Sequence, residues 1–105
     1  MNIAWATGLF EGEGCIYKDP RCNSVRLTVN STDEDVLQRF FSIVGAGKIV
    51  KGKHSPGKEH HKPFWVWALH KKADVKHLLA EMLPMLGERR AYTALNALDT
   101  LDGVW

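Results

Sequence analysis

Between Val25 and Ser31 the chain alternates without a break, with Val25, Leu27 and Val29 on one side and Arg26, Thr28 and Asn30 on the other. That is the period of a strand with one buried face. A shorter strand-like run, Gly14 to Asp19, precedes it, and Pro20 to Ser24 between them has turn chemistry, so the pair predicts a hairpin. From Val36 the period changes. Val36, Leu37, Phe40, Phe41 and Val44 recur at helical spacing. Ahead of them Thr32-Asp-Glu-Asp35 resembles a capping box with acids in the first turn, and behind them Gly45 and Gly47 stop the helix. A second hairpin follows, with strands over Lys48 to Lys53 and Phe64 to His70 and a long polar connection from His54 to Pro63. Val75, Leu78, Leu79, Met82 and Leu83 predict a third helix ended by Pro84. Gly87 then precedes a last helix carrying Tyr92, Leu95 and Leu98.

The stretch before the first strand, Trp5 to Gly14 (WATGLFEGEG), is the most informative. Ala4, Gly8 and Gly12 fall four apart, which gives a helix one almost bare face along which a second helix can approach closely. Glu11 and Glu13 then sit at the C-terminal end, with Gly12 and Gly14 available for the positive φ that stops a helix. Carboxylates there oppose the helix dipole at a cost of a few tenths to about 1 kcal/mol, and a bound divalent cation reverses the sign of that effect. The element order is αββαββαα. It predicts an α+β fold in which helices cover one face of a curved, mixed or antiparallel sheet.

The 105 residues form one domain, 1–105, and 45% hydrophobic content excludes a disordered chain. No apolar run approaches 18 residues and no basic-then-apolar leader begins the sequence, so an intracellular, membrane-free protein is expected, whether cytoplasmic, nucleoid-associated or organellar. Cys15 and Cys22 could pair across the first hairpin, but reduced thiols are the expectation in such a chain.

Formal net charge is only +2, but its distribution is uneven. Residues 48–77 hold eight lysines against Glu59 and Asp74, a local charge of +6, together with all five histidines. Residues 1–47 and 78–105 each come to −2. One hairpin thus carries the positive field expected of a phosphate-contacting surface, although a lysine-rich hairpin also resists edge-to-edge aggregation. Trp65 and Trp67 suit the core face of the fourth strand, leaving Val66 and Ala68 on the open face unless that strand is buried on both sides. His54, His60 and His61 lack a second ligand cluster at zinc spacing.

Ala6-Thr-Gly-Leu-Phe-Glu-Gly-Glu-Gly14 resembles the nine-residue signature of the LAGLIDADG homing endonucleases. The likeness extends over nearly the whole chain: Thr32-Asp-Glu-Asp-Val36, Val44-Gly-Ala-Gly47, Phe64-Trp-Val-Trp67 and Leu86-Gly-Glu-Arg-Arg90 are similar to segments of the small, single-motif members. Both acids are Glu where the family's name has Asp. The resemblance implies an αββαββα unit with DNA on the open sheet face and a homodimer through Ala4, Gly8, Leu9, Glu11 and Gly12. It also implies catalytic metal, Mg²⁺ or another divalent cation such as Mn²⁺, at Glu13 and Gly12. Arg89, with Arg90 close behind, takes the family's basic role, and Ser31 helps place water unless a one-residue gap moves that role to Asn30. The implied DNA surface is Tyr17, Asp19, Arg21, Ser24, Arg26, Thr28 and Asn30 from the first hairpin. The second hairpin adds Lys48, Val50, Lys51, Lys53, Val66, Ala68 and His70.

The implied activity is site-specific, metal-assisted hydrolysis of double-stranded DNA at a near-palindromic target, of the kind associated with introns and inteins. A non-cleaving DNA-binding regulator or an RNA-splicing maturase of the same fold is the alternative. A small-molecule regulatory domain, whose αββαββ order is similar, needs neither the basic hairpin nor acids at the end of a glycine-faced helix.

Overall fold

The alternating run becomes the inner strand of a four-stranded sheet. The computed structural model describes residues 2–102 apart from 20, 22, 23, 54–56 and 58–61. Its elements are α1 (Ile3–Glu13), β1 (Gly14–Asp19), β2 (Ser24–Ser31), α2 (Glu34–Val44), β3 (Lys48–Lys51), β4 (Trp65–Leu69), α3 (Lys72–Met82), a 3₁₀ turn (Leu83–Met85) and α4 (Glu88–Asp102). The order across the sheet is β1-β2-β4-β3, with every neighbouring pair antiparallel. The α+β architecture expected from the sequence is therefore present. Cys22, His54, His60 and His61 lie outside the described residues, while Cys15 is an exposed free thiol.

The helices cover one face. Val25, Leu27 and Val29 of β2 and Trp67 and Leu69 of β4 are buried beneath Ala6 and Phe10 of α1, Leu37 and Phe40 of α2, and Val75, Leu78, Leu79 and Met82 of α3. Trp67 is the largest of them. Its ring meets Phe40 edge-on at 4.7 Å, and its Nε1–H donates to the Ala46 carbonyl at 2.9 Å, so the one polar atom of a buried indole is satisfied. Gly45 stops α2, as expected, and does so at φ 71°, in the left-handed region.

Several expectations are corrected. The capping box does not form: α2 begins at Glu34, and the Asp33 side chain makes no cap hydrogen bond. Strand β2 runs on through Ser31, whose Oγ accepts from the Asp33 N–H at 3.0 Å and turns the chain there instead. Strands β3 and β4 are shorter than the alternation suggested. Pro84, by contrast, ends α3 as expected: the helix stops at Met82, and Pro84 sits near the start of the 3₁₀ turn that follows, where a missing N–H costs nothing.

The stripe on α4 is also different. Tyr92 and Leu95 are 69% and 49% exposed, and the helix packs instead through Ala94, Ala97 and Leu101. Of the three apolar residues that mark this helix in the sequence, Leu98 packs against the core, and α4 lies close enough that alanines fill the rest of the contact.

Helix α1 passes into β1 with no connecting residue. Neither motif glycine there uses a positive φ: Gly12 is helical, and Gly14 is extended at φ −85°, ψ 162°. Gly14 is required for a different reason. A Cβ on it would stand 2.5 Å from both the ring and the carbonyl oxygen of the buried Phe10. Gly14→Ala should accordingly lower stability by about 1–3 kcal/mol, as overpacking does. Urea denaturation would show the midpoint falling with the slope unchanged.

Candidate active site and nucleic-acid interface

Glu13 ends α1 as an exposed carboxylate with no hydrogen bond or ion pair to any described residue. It lines a cleft of about 740 Å³ together with Leu9, Asn30, Ser31, Thr32, Asp33, Val36, Lys62 and Phe64. Four of the candidate site residues singled out from the sequence, Leu9, Glu13, Asn30 and Ser31, are thus brought to one place. Thr32, Asp33, Lys62 and Phe64 were missed as site residues, because they come from a bend and a loop, where no periodicity marks a direction. Asp33 carried one usable signal: an N-cap Asp ordinarily bonds a helix N–H, and this one does not.

Glu11, two residues earlier, has the opposite fate. The Gly87 N–H donates to its Oε1 at the start of α4, and Arg90 Nε donates to its Oε2 at 3.5 Å. A Cβ on Gly87 would lie 2.9 Å from Glu11 Oε1, so a larger residue there would push the carboxylate out of this position. The carboxylate therefore sits at the positive end of a 15-residue helix. Its side chain is held within the subunit by these bonds, yet stays partly exposed. The electrostatic misfit expected at the end of α1 is answered for Glu11 and left standing for Glu13.

The two arginines separate in the same way. Arg90 is only 19% exposed and donates from Nη1 to the Gly14 carbonyl at 2.6 Å and from Nη2 to the Glu11 carbonyl at 3.0 Å. Arg89 is exposed, and its guanidinium has no partner among the described residues.

On the uncovered face of the sheet, cross-strand register sorts the remaining candidates, since paired residues share a face. One row is Asp19–Ser24, the next Tyr17–Arg26, the third Cys15–Thr28–Ala68–Lys48, and the last Asn30–Val66–Val50. Ten of the candidate DNA contacts thus fall on one face, with Cys15 added. The Arg26 guanidinium lies 5.2 Å over the Tyr17 ring, and His70 joins both around a smaller hollow with Asp19 and Ser24. Arg21 belongs to the turn, where its N–H and Nε both donate to Asp19 Oδ1. Lys51 is corrected: it pairs with Trp65 in the row that faces the helices, and Lys53 lies beyond the end of β3.

The outer side of α1 is bare. Ala4, Gly8 and Gly12 are exposed, and a Cβ built on either glycine would meet nothing within 4 Å. Beside that face the Arg39 guanidinium lies 5.1 Å from the Trp5 ring.

No protein-family model and no curated protein matches the sequence. Solved structures do match the fold. The homing endonuclease I-CvuI, in complex with its target in the presence of calcium, superposes with a TM-score of 0.71 at 21% identity, covering 95% of this chain and 65% of that one. The archaeal intron-encoded homing endonuclease I-Vdi141I, complexed with DNA, gives 0.71 at 13% identity, with coverage of 97% and 67%. The LAGLIDADG meganuclease I-CpaMI, bound to uncleaved DNA, gives 0.70 at 16% identity; nearly all of this chain, 99%, matches 37% of that longer one. This chain therefore spans about two thirds of I-CvuI and a smaller part of I-CpaMI.

The Glu11 link generates a stability test. Glu11→Gln keeps the acceptor for Gly87 but removes the charge facing Arg90 and the helix end, and should cost about 1 kcal/mol. Urea denaturation at neutral pH checks it, and Glu13→Gln in parallel should cost nothing.

Proposed function

Starting from a chain with the fold of the LAGLIDADG homing endonucleases, we propose that this protein is a homodimeric, site-specific DNA endonuclease. The observation that carries the proposal is the placement of Glu13. It is an unpartnered carboxylate at the end of a helix whose outer face is bare, and it opens on a cleft edged by the sheet that presents the candidate DNA contacts. If two copies meet along Ala4, Gly8 and Gly12, a two-fold axis brings two Glu13 carboxylates together. The two open sheet faces then form one continuous surface for a duplex with matching half-sites.

The donor set fits a hard divalent cation. Among the described residues no three His, Cys, Asp or Glu side chains converge, so one subunit offers an incomplete site. Glu13 and Asp33 are its carboxylates, and the hydroxyl of Ser31 is a further oxygen donor around the same cleft. When bound there, Mg²⁺ or Mn²⁺ would neutralise charge on the scissile phosphate and lower the pKa of attacking water. Glu13 binds. Ser31, whose Oγ already accepts from the Asp33 N–H, keeps its own O–H to orient water. Arg89, exposed and unpaired, offsets negative charge developing on phosphate oxygens. On the open face Arg26 suits guanine in a major groove, Thr28 and Asn30 suit base edges, and Val66, Val50 and Ala68 suit thymine methyls. Lys48 contributes phosphate contact.

Three experiments test this. With a duplex selected from a randomised pool and Mg²⁺ present, single-turnover cleavage by wild type should be abolished in Glu13→Gln, while binding is at least as tight because a repulsion with phosphate is gone. Equal rates would remove Glu13 from the active site. A tightly bound target that neither protein cuts would favour a non-cleaving regulator. Gly8→Leu should keep the subunit folded, since its side chain meets open space, yet yield monomers in sedimentation; a wild type that stays monomeric on DNA at micromolar concentration would end the dimer reading. Replacing Lys48 by Ala should weaken binding to all sequences and reduce the salt slope by about one unit, whereas Arg26→Ala should relax discrimination at one base pair per half-site.

A further inference from the structure

Adjacent arginines on one helix point about 100° apart, so Arg89 and Arg90 cannot serve the same site in the same way. Arg90 is the one whose donors are already committed. Its Nη1 and Nη2 reach the carbonyls of Gly14 and Glu11, its Nε reaches the Glu11 carboxylate, and its guanidinium carbon lies 5.7 Å from the centre of the buried Phe10 ring. The two carbonyls flank Gly12 and Glu13. The Glu11 carbonyl belongs to the last turn of α1, where oxygens have no partner further along the helix. The Gly14 carbonyl opens β1. Besides the backbone bond from the Gly14 N–H to the Phe10 carbonyl, Arg90 is the side chain that joins the helical end of the motif to its strand end among the described residues.

We infer that Arg90 is a positioning residue, which clamps the backbone on both sides of Glu13 and so fixes where that carboxylate projects. The inference rests on the proposed function for its consequence, the placing of a metal-binding acid, but not for the clamp itself. The root of the clamp is rigid: one turn further along α4, Ala94 is buried in the core, followed by Ala97 and Leu101. Its jaws are planar: a guanidinium presents separate donors in a fixed fork to two carbonyls three residues apart, a geometry that an ammonium on a flexible stem does not fix. Glu11 completes the arrangement by binding Arg90 on one side and the Gly87 N–H on the other. The first turn of α4 and the last turn of α1 therefore move as one piece, with Glu13 as its free end.

The first test uses metal-free, DNA-free protein. In Arg90→Lys, amide hydrogen exchange at residues 12–15 should accelerate about tenfold or more, the loss of one charge-assisted bond, while amides of Leu27 and Trp67 stay unchanged. Unchanged exchange at 12–15 would overturn the clamp, and so would a uniform rise across the whole protein, which marks only lost stability. If the variant does not fold, wild type alone decides. Separate Nη1 and Nη2 proton resonances for Arg90, slowed in rotation, support the clamp, and a single averaged resonance overturns it.

The second test titrates Mn²⁺ onto the complex with selected DNA. Arg90→Lys should raise the Mn²⁺ midpoint on the order of tenfold, as loss of a group that orients a ligand does, and recover a cleavage rate near wild type at saturation. Arg89→Ala should do the reverse, lowering the saturated rate with the midpoint unmoved. A lowered saturated rate with an unmoved midpoint in Arg90→Lys would overturn the positioning role and make Arg90 a direct participant. A wild type that holds no Mn²⁺ would defeat the nuclease reading, while the exchange measurement would still judge the clamp.

Discussion

Phe10 fills the space that a side chain on Gly14 would need, and this contact lets α1 turn into β1 without a loop. Much of the site follows from that economy. With no loop to absorb error, the end of the helix, the start of the first strand and the acids between them are placed by core packing. Phe10 is fully buried, and so is Ala6 one turn earlier. Thr7 is buried too, its hydroxyl returned to the Ile3 carbonyl at 2.8 Å. The inward side of α1 is thus occupied and satisfied, which leaves the outward side to be defined by what it lacks.

Charge at that turn is handled asymmetrically. Two carboxylates two residues apart at a helix C-terminus repel each other and the dipole. The fold neutralises Glu11 with a guanidinium and a helix N-terminus and gives Glu13 nothing of the kind. A carboxylate in water needs no partner, so exposure alone would not single Glu13 out. Its setting does, because it shares a cleft with Asn30, Ser31 and Asp33 while its neighbour is fully engaged. The same contrast between an engaged and an unengaged group recurs one helix away in Arg90 and Arg89.

What the sequence made legible was whatever periodicity governs. The alternation in Val25–Val29 placed the inner face of β2, and with it Arg26, Thr28 and Asn30 on the open face, because side chains on a strand can point only two ways. Glycine spacing on α1 was legible for the same reason. Long-range contact was not. Nothing local in Gly87 or Arg90 shows that α4 would dock its first turn on the end of α1, so the bonds of both to Glu11 were not legible there. Local chemistry also misled where tertiary structure overrode it. Thr32 to Asp35 has the composition of a cap, but only Glu34 and Asp35 take their place in the first turn of α2, while Ser31 Oγ bends the chain at Thr32 and Asp33 makes no cap hydrogen bond. Lys51 was counted with the basic surface by composition, and only the register with Trp65 assigns it to the other side.

The glycines of the motif separate two kinds of requirement. Gly14 is bare because the ring and carbonyl of Phe10 occupy the place its side chain would take, and at Gly87 a side chain would displace the Glu11 carboxylate. Gly8 and Gly12 are bare with open space beyond them. Inside a helix each glycine costs roughly 0.5–1 kcal/mol relative to alanine. Within one subunit that cost returns nothing, since an alanine at either position would touch no atom of the fold. A helix of 11 residues that carries two such positions, one turn apart and in line with Ala4, is destabilised unless a backbone approaches closely from outside. The residues that a single chain does not need are therefore what supports pairing of two chains along α1. The acid that a single chain does not neutralise lies at the end of that same helix.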